Sequence, residues 1–244
     1  MLYPSGHPVI HAPVGAGGLC PIRYTHPDMR KKEDADMHAD LLSYMLSVKD
    51  IKSRLQLRLA LQCAPLLKGL KASALLPMNA GAKEDIGFVL QGTGIEHLFL
   101  GGKQERPLLF LYRPEELRSL LQKKESRGFL DRNGYGGKGL GSSLRLLSYK
   151  MSQYSKGACC FPHEIGVFLG YPVKDVESFI MQKGKGCLFS GYWKVYHDPL
   201  QAQLTFHAYD QARVSAVNEL LSGRPLKEIV ENVKLSGEKG KYSW

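Results

Sequence analysis

The chain is 244 residues long, 43% hydrophobic and 23% charged, enough to bury one sizeable core and ordinary for a globular domain. No apolar run reaches the ~18 residues of a membrane-spanning helix, so no membrane span is expected. A net charge of +10 and a pI of about 9.3 raise the prospect of an anionic partner, whether small molecule, protein or nucleic acid.

Residues 1–34 are rich in Gly, Pro and His and carry no hydrophobic period. They read as a disordered leader without a secretory pattern, and His7, His11 and His26 are not spaced as metal ligands. A single domain is expected over 35–233 and a flexible tail over 234–244. Its first segments are helical. Apolar residues recur from Asp36 to Met45 and again from Ile51 to Leu67, where Leu55, Leu59 and Leu66 share a face beside Leu57 and Leu61. Pro65 and Gly69 close the second segment.

SALLPM (Ser73–Met78) is short, apolar and bounded by breakers, as a buried strand would be. IEHLFL (Ile95–Leu100) and PLLFLY (Pro107–Tyr112) flank GGKQER and predict a hairpin or two neighbouring strands. Pro114, with Glu115 and Glu116, suits a helix N-terminus. Asn133–Ser142 is a glycine-rich surface loop opening a helix through Leu144, Leu147 and Met151. It fits neither the phosphate-loop nor the dinucleotide signature. Asp198 caps a long helix, Pro199–Leu221, whose inward residues are expected to be Leu204, Ala208, Val214, Val217 and Leu221. Helices interleaved with a few strands predict an α/β domain with a small mixed sheet of about 3–5 strands flanked by helices.

The densest chemistry lies in FPHEIGVFLGYPVKDVESFI (Phe161–Ile180) and GYWKVY (Gly191–Tyr196). The first segment predicts two short helices around Gly170, with Gly166 small where they cross and Val176 and Phe179 facing inward. That pattern invites a helix-turn-helix, but the outward residues would be Lys174, Asp175, Glu177 and Ser178, two of them carboxylates that would face phosphate. Two packed helices joined by a glycine turn are the simpler alternative. His163 and Glu164 follow Pro162 at a helix start. Glu164 can complement the positive helix end while His163 bonds a backbone group. Alternatively, the pair with Cys159 or Cys160 nearby can make a base-assisted nucleophile. HEIG is not HExxH, and no metal site is indicated. As a strand, GYWKVY puts Tyr192, Lys194 and Tyr196 on one face and Trp193 and Val195 in the core.

Five cysteines without a CxxC pair argue for a reducing, cytoplasmic setting, with each thiol a small buried hydrophobe. The two segments above, with CAPLLKGLKASALL (Cys63–Leu76) and LLFLYRPEEL (Leu108–Leu117), resemble an uncharacterised bacterial family, the domain of unknown function 3793. The resemblance covers about Met37 to Val233. It implies a soluble bacterial domain and brings no activity, cofactor, ligand or catalytic residue with it.

The residues therefore point first to a binding or accessory protein for an anionic small molecule or a partner protein. Its pocket would be built from His163, Glu164, Tyr192, Lys194 and Tyr196, with Cys160 nearby: Lys194 neutralises charge, the tyrosines supply flat surface, and His163 is a pH-sensitive donor. The alternatives are an enzyme using Cys160 or His163, and a DNA-binding regulator. A shared pocket requires His163 and Lys194 within about 10 Å of each other.

Overall fold

The computed structural model describes residues 50–78, 83–101 and 108–235. The expected leader, the helix expected over Asp36–Met45, most of GGKQER and the tail beyond Leu235 lie outside the described residues.

Asp50 has extended backbone, and its carboxylate accepts from Ser53 N at 2.8 Å, an N-cap that starts α1 (Ile51–Gln62). Pro65 lacks the N–H that would continue the helix. The chain turns at Cys63 and restarts as α2 (Ala64–Leu67), which Gly69 ends at φ +70°. Strand β1 (Ser73–Pro77), helix α3 (Lys83–Val89) and strands β2 (Glu96–Leu100) and β3 (Leu108–Tyr112) follow. The three strands form one antiparallel sheet in the order β1-β3-β2, with Phe110 opposite both Leu75 and Leu98. The expected strand pair is there, and the sheet is wholly antiparallel.

Alternation along the strands splits the core in two. Leu109 and Leu111 join Ala74 and Leu76 on one face, covered by α1, α2, α3 and α10 (Leu226–Leu235). Phe110 joins Leu75 and Leu100 on the other. That face is covered by α4 (Pro114–Gln122), α5 (Lys124–Leu130), α6 (Leu140–Ser155), α7 (Ile165–Phe168) and α8 (Val173–Met181). The result is the expected α/β domain: a small sheet between two helical layers.

Two polar side chains fasten the layers. Buried Arg113 donates from Nε to Leu66 O and from Nη2 to Leu67 O, both at 3.1 Å, and so holds two carbonyls at the end of α2. Ser73 Oγ donates to Phe168 O at 2.6 Å and ties the first strand to the end of α7.

The last long helix, α9 (Pro199–Leu221), is N-capped by Asp198, whose carboxylate accepts from Gln201 N at 3.3 Å. Its inward face differs from expectation. Leu204 and Val214 are exposed, and the buried residues include Ala202, Thr205, Tyr209, Ala212, Ala216, Val217 and Leu220. The reason is spacing between helices. Ala212 and Ala216 meet Ala60 and Ala64, so α9 lies close on the back of α1 and α2, where a stripe of leucines would hold it away.

Candidate functional site

The site is framed by α7, the turn at Gly170, α8 and a two-stranded ribbon, β4 (Phe189–Ser190) with β5 (Lys194–Val195). Gly170 turns the chain at φ +76°. Gly166 sits where the helices cross: a Cβ there would lie 2.9 Å from Val176 Cγ2, closer than packing allows. Two short helices around a glycine turn are thus present as expected.

The second helix does not present its expected outer face. Asp175 and Ser178 are buried. The Asp175 carboxylate accepts from Trp193 Nε1 at 2.7 Å, Tyr196 N at 3.0 Å and His197 N at 2.9 Å. Ser178 Oγ is 2.8 Å from His197 Nε2, and Glu177 is paired with Arg132 at 2.6 Å. The helix is held on one side by α7 and on the other by the ribbon, and the face it leaves exposed carries Lys174, Ile180 and Met181 beside the paired Glu177.

The ribbon also differs from the expected strand. Pairing is confined to Phe189 with Val195 and Ser190 with Lys194, and Gly191–Trp193 form the turn. Two causes act. A Cβ on Gly191 would lie 2.2 Å from Phe206 Cε2, so the chain there is pressed flat on the ring of α9. Beyond Val195, Asp175 takes the Tyr196 and His197 amides and draws the chain off the strand. The expected face of Tyr192, Lys194 and Tyr196 therefore does not exist. Tyr192 donates to Asp210 Oδ1 at 3.1 Å. Tyr196 is buried, with its hydroxyl sealed from solvent and without a hydrogen-bond partner among the described residues. Trp193 and Val195 are core, as expected.

What survives is a cleft that holds His163, Tyr192 and Lys194 together. It is walled by Phe161, Tyr171, Phe179 and Trp193 and offers about 60 Å³ to the centre of a water molecule. His163 and Lys194 flank one ring: the imidazole centroid is 5.3 Å from that of Phe179, and Lys194 Nζ is 5.7 Å from it. These contacts bring the two candidate polar groups to one ligand-sized opening. Lys194 Nζ donates to Gly184 O at 2.6 Å, which orients the ammonium. Burial lowers the His163 pKa below its ordinary value, against the opposing pull of Glu164, so the imidazole is neutral at pH 7 and offers one donor and one acceptor.

Glu164 turns away from this cleft. It is buried and accepts from Tyr135 Oη at 3.2 Å and Lys150 Nζ at 2.6 Å. Lys150 also donates to Asn133 O at 2.8 Å. Glu164 thus anchors the start of the glycine-rich segment, where the chain kinks at Asn133 and Gly134 and buries Tyr135, while residues 136–139 form the exposed surface loop expected.

Cys159 and Cys160 are exposed, contrary to the expectation of buried thiols, which Cys63 alone meets fully among the described residues. Cys160 does not line the cleft, whose wall begins at Phe161, and His163 meets aromatic rings on both sides, Phe161 and Phe179. Among the described residues, no three His, Cys, Asp or Glu side chains group to hold a metal ion.

Sequence reasoning missed Asp175 as the anchor, Tyr171 and Phe179 as walls, and Lys71. Lys71 lines a second cleft that shares Tyr171 and Tyr192 with the first.

Among known families, that of proteins of unknown function DUF3793 matches residues 59–230. The chain belongs to this family. No curated protein and no solved structure matches it. No helix among the described residues is long and apolar enough to cross a membrane.

Proposed function

We propose that the protein binds a small anionic molecule with a flat apolar body in the cleft lined by His163, Phe179, Trp193 and Lys194. The observation that carries this reading is the flanking of one aromatic ring by an oriented ammonium and an imidazole at the mouth of an aromatic cleft. Aromatic walls suit a planar apolar body. Lys194 neutralises an anion at the rim, and His163 supplies one directional hydrogen bond. The neighbouring carboxylate, Asp175, is already saturated by three donors. The reading makes the protein a binding or accessory factor.

Trp193 lies in the wall, and the chain's other tryptophan is Trp244, so intrinsic fluorescence reports occupancy. Titration with benzoate, 4-hydroxyphenylacetate and indole-3-acetate should quench Trp193, and the matching neutral amides should bind more weakly. Lys194→Met should weaken carboxylate binding by about 10–100-fold, the worth of a charge-assisted hydrogen bond. Amides that bind as tightly as the acids, or an unchanged affinity in Lys194→Met, would end the anion reading.

A further inference from the structure

Where α8 ends and the chain turns toward β4, three large apolar side chains stand in solvent: Met181 is 74% exposed, Leu188 55% and Ile180 40%. Lys174, Lys183 and Lys185 are exposed on the same stretch, and Lys174 shares a helix face with Met181, seven positions on. The carboxylates of residues 174–188 are Asp175 and Glu177. The first is buried under its three donors, and the second is paired with Arg132 at 2.6 Å. The edge therefore joins exposed apolar surface to three ammonium groups and has no unengaged carboxylate of its own. Its support is fixed. The amides of Lys183, Gly184 and Lys185 donate to Ile180 O at 3.2 Å, Phe179 O at 2.8 Å and Gln182 O at 3.0 Å, and Gly184 O takes the Lys194 ammonium at 2.6 Å. These bonds hold the loop in a tight reversal against the ribbon.

We propose that this edge seats the protein reversibly on the surface of an anionic phospholipid bilayer. Met181 and Leu188 enter the boundary between headgroups and acyl chains, and Lys174, Lys183 and Lys185 lie against the lipid phosphates. The charge complementarity selects this partner over the others that an exposed apolar patch can take. Lysine is depleted at protein–protein interfaces. Single-stranded nucleic acid is held by stacking its bases on aromatic rings with help from arginine, and residues 180–188 contain neither. Apolar side chains among lysines are what a segment lying in a lipid interface presents.

The loop also borders the cleft. A Cβ on Gly184 would lie 3.1 Å from Phe179 Cε2 and 3.6 Å from Lys194 Nζ, so a protein seated on this edge brings the Lys194 rim to the bilayer surface. The inference does not depend on the anion reading. Ile180, Met181, Lys183, Lys185 and Leu188 do not line the cleft, and either proposal can fail while the other stands.

The test is co-sedimentation of the full chain with large unilamellar vesicles of phosphatidylcholine, alone or with about one-third phosphatidylglycerol. Partitioning should be at least about tenfold stronger on the anionic vesicles and should fall steeply between about 0.1 M and 0.5 M salt. Met181→Gln with Leu188→Gln should weaken it by about tenfold or more, because the apolar side chains no longer enter the interface. Lys183→Gln with Lys185→Gln should weaken it by about 30-fold, roughly fivefold for each lysine. All four side chains are exposed, so the thermal midpoint should stay at the wild-type value in both pairs. Equal sedimentation on neutral and anionic vesicles, or none on either, overturns the proposal. Anionic binding that survives Met181→Gln with Leu188→Gln undiminished, and that single-stranded RNA competes away, makes the edge a general polyanion surface and overturns the bilayer as its partner.

Discussion

Asp175 shows what one carboxylate does when three donors converge on it. An indole N–H and two main-chain amides depend on it, all inside the protein. Asp175→Ala strands these donors and should cost about 3–5 kcal/mol in chemical denaturation, with loss of the Trp193 near-ultraviolet signal. Tyr196 is the opposite case. Its hydroxyl is buried without a partner among the described residues, so Tyr196→Phe removes an unpaid desolvation and should leave stability unchanged or raise it by about 1 kcal/mol in the same measurement. A clear loss would mean that the hydroxyl is satisfied in solution. In the sequence the two residues were legible only as a carboxylate on a helix and a tyrosine on a strand. Both roles come from a contact of about twenty positions' separation, which no local period encodes.

At the scale of elements, periodicity and breakers located most helices and strands. Leu55, Leu59 and Leu66 do share a core face, and Gly170 does turn the chain at positive φ. What misled was the assumption that every apolar residue of a helix faces inward. In α9 the small residues pack and Leu204 stays out, because the distance between helix axes is set by the partner. The short α3 and α5 carried no pattern long enough to be read, whereas Leu226, Ile229, Val230 and Val233 gave α10 a helical spacing that went unused. The ribbon was over-extended for a related reason: alternation in GYWKVY is genuine in the letters, but Phe206 and Asp175 decide where pairing stops. Gly191→Ala tests this. The methyl must displace the Phe206 ring, so the variant should lose about 1–3 kcal/mol and shift Trp193 fluorescence. A native emission spectrum with unchanged stability would show that the turn can move aside.

For the whole molecule, Lys71 ties stability to pH. Its folded pKa, about 8, lies below its ordinary 10.5, so between these values the unfolded chain binds more protons and stability rises with pH. The thiol of Cys63 acts in the opposite sense above pH 9, as its folded pKa is raised to about 12, and the buried tyrosines do so above pH 10. Lys71→Met isolates the first effect. It should be more stable than wild type at pH 7, by on the order of 1–3 kcal/mol, and this advantage should shrink steadily from pH 8 to pH 10 in denaturant titrations. An advantage independent of pH would mean that the ammonium is solvated.

The anchoring by Asp175 has a further consequence. Two of its three holds are on backbone amides, those of Tyr196 and His197, so the ribbon is gripped by its main chain and by one indole. These holds do not pass through the side chains at 192 and 194, which face the cleft and make their own bonds to Asp210 and Gly184. A change at 194 therefore gives up one bond to Gly184 O while the grip of Asp175 on the main chain stays, which makes that position a natural place to select variants with altered ligand preference.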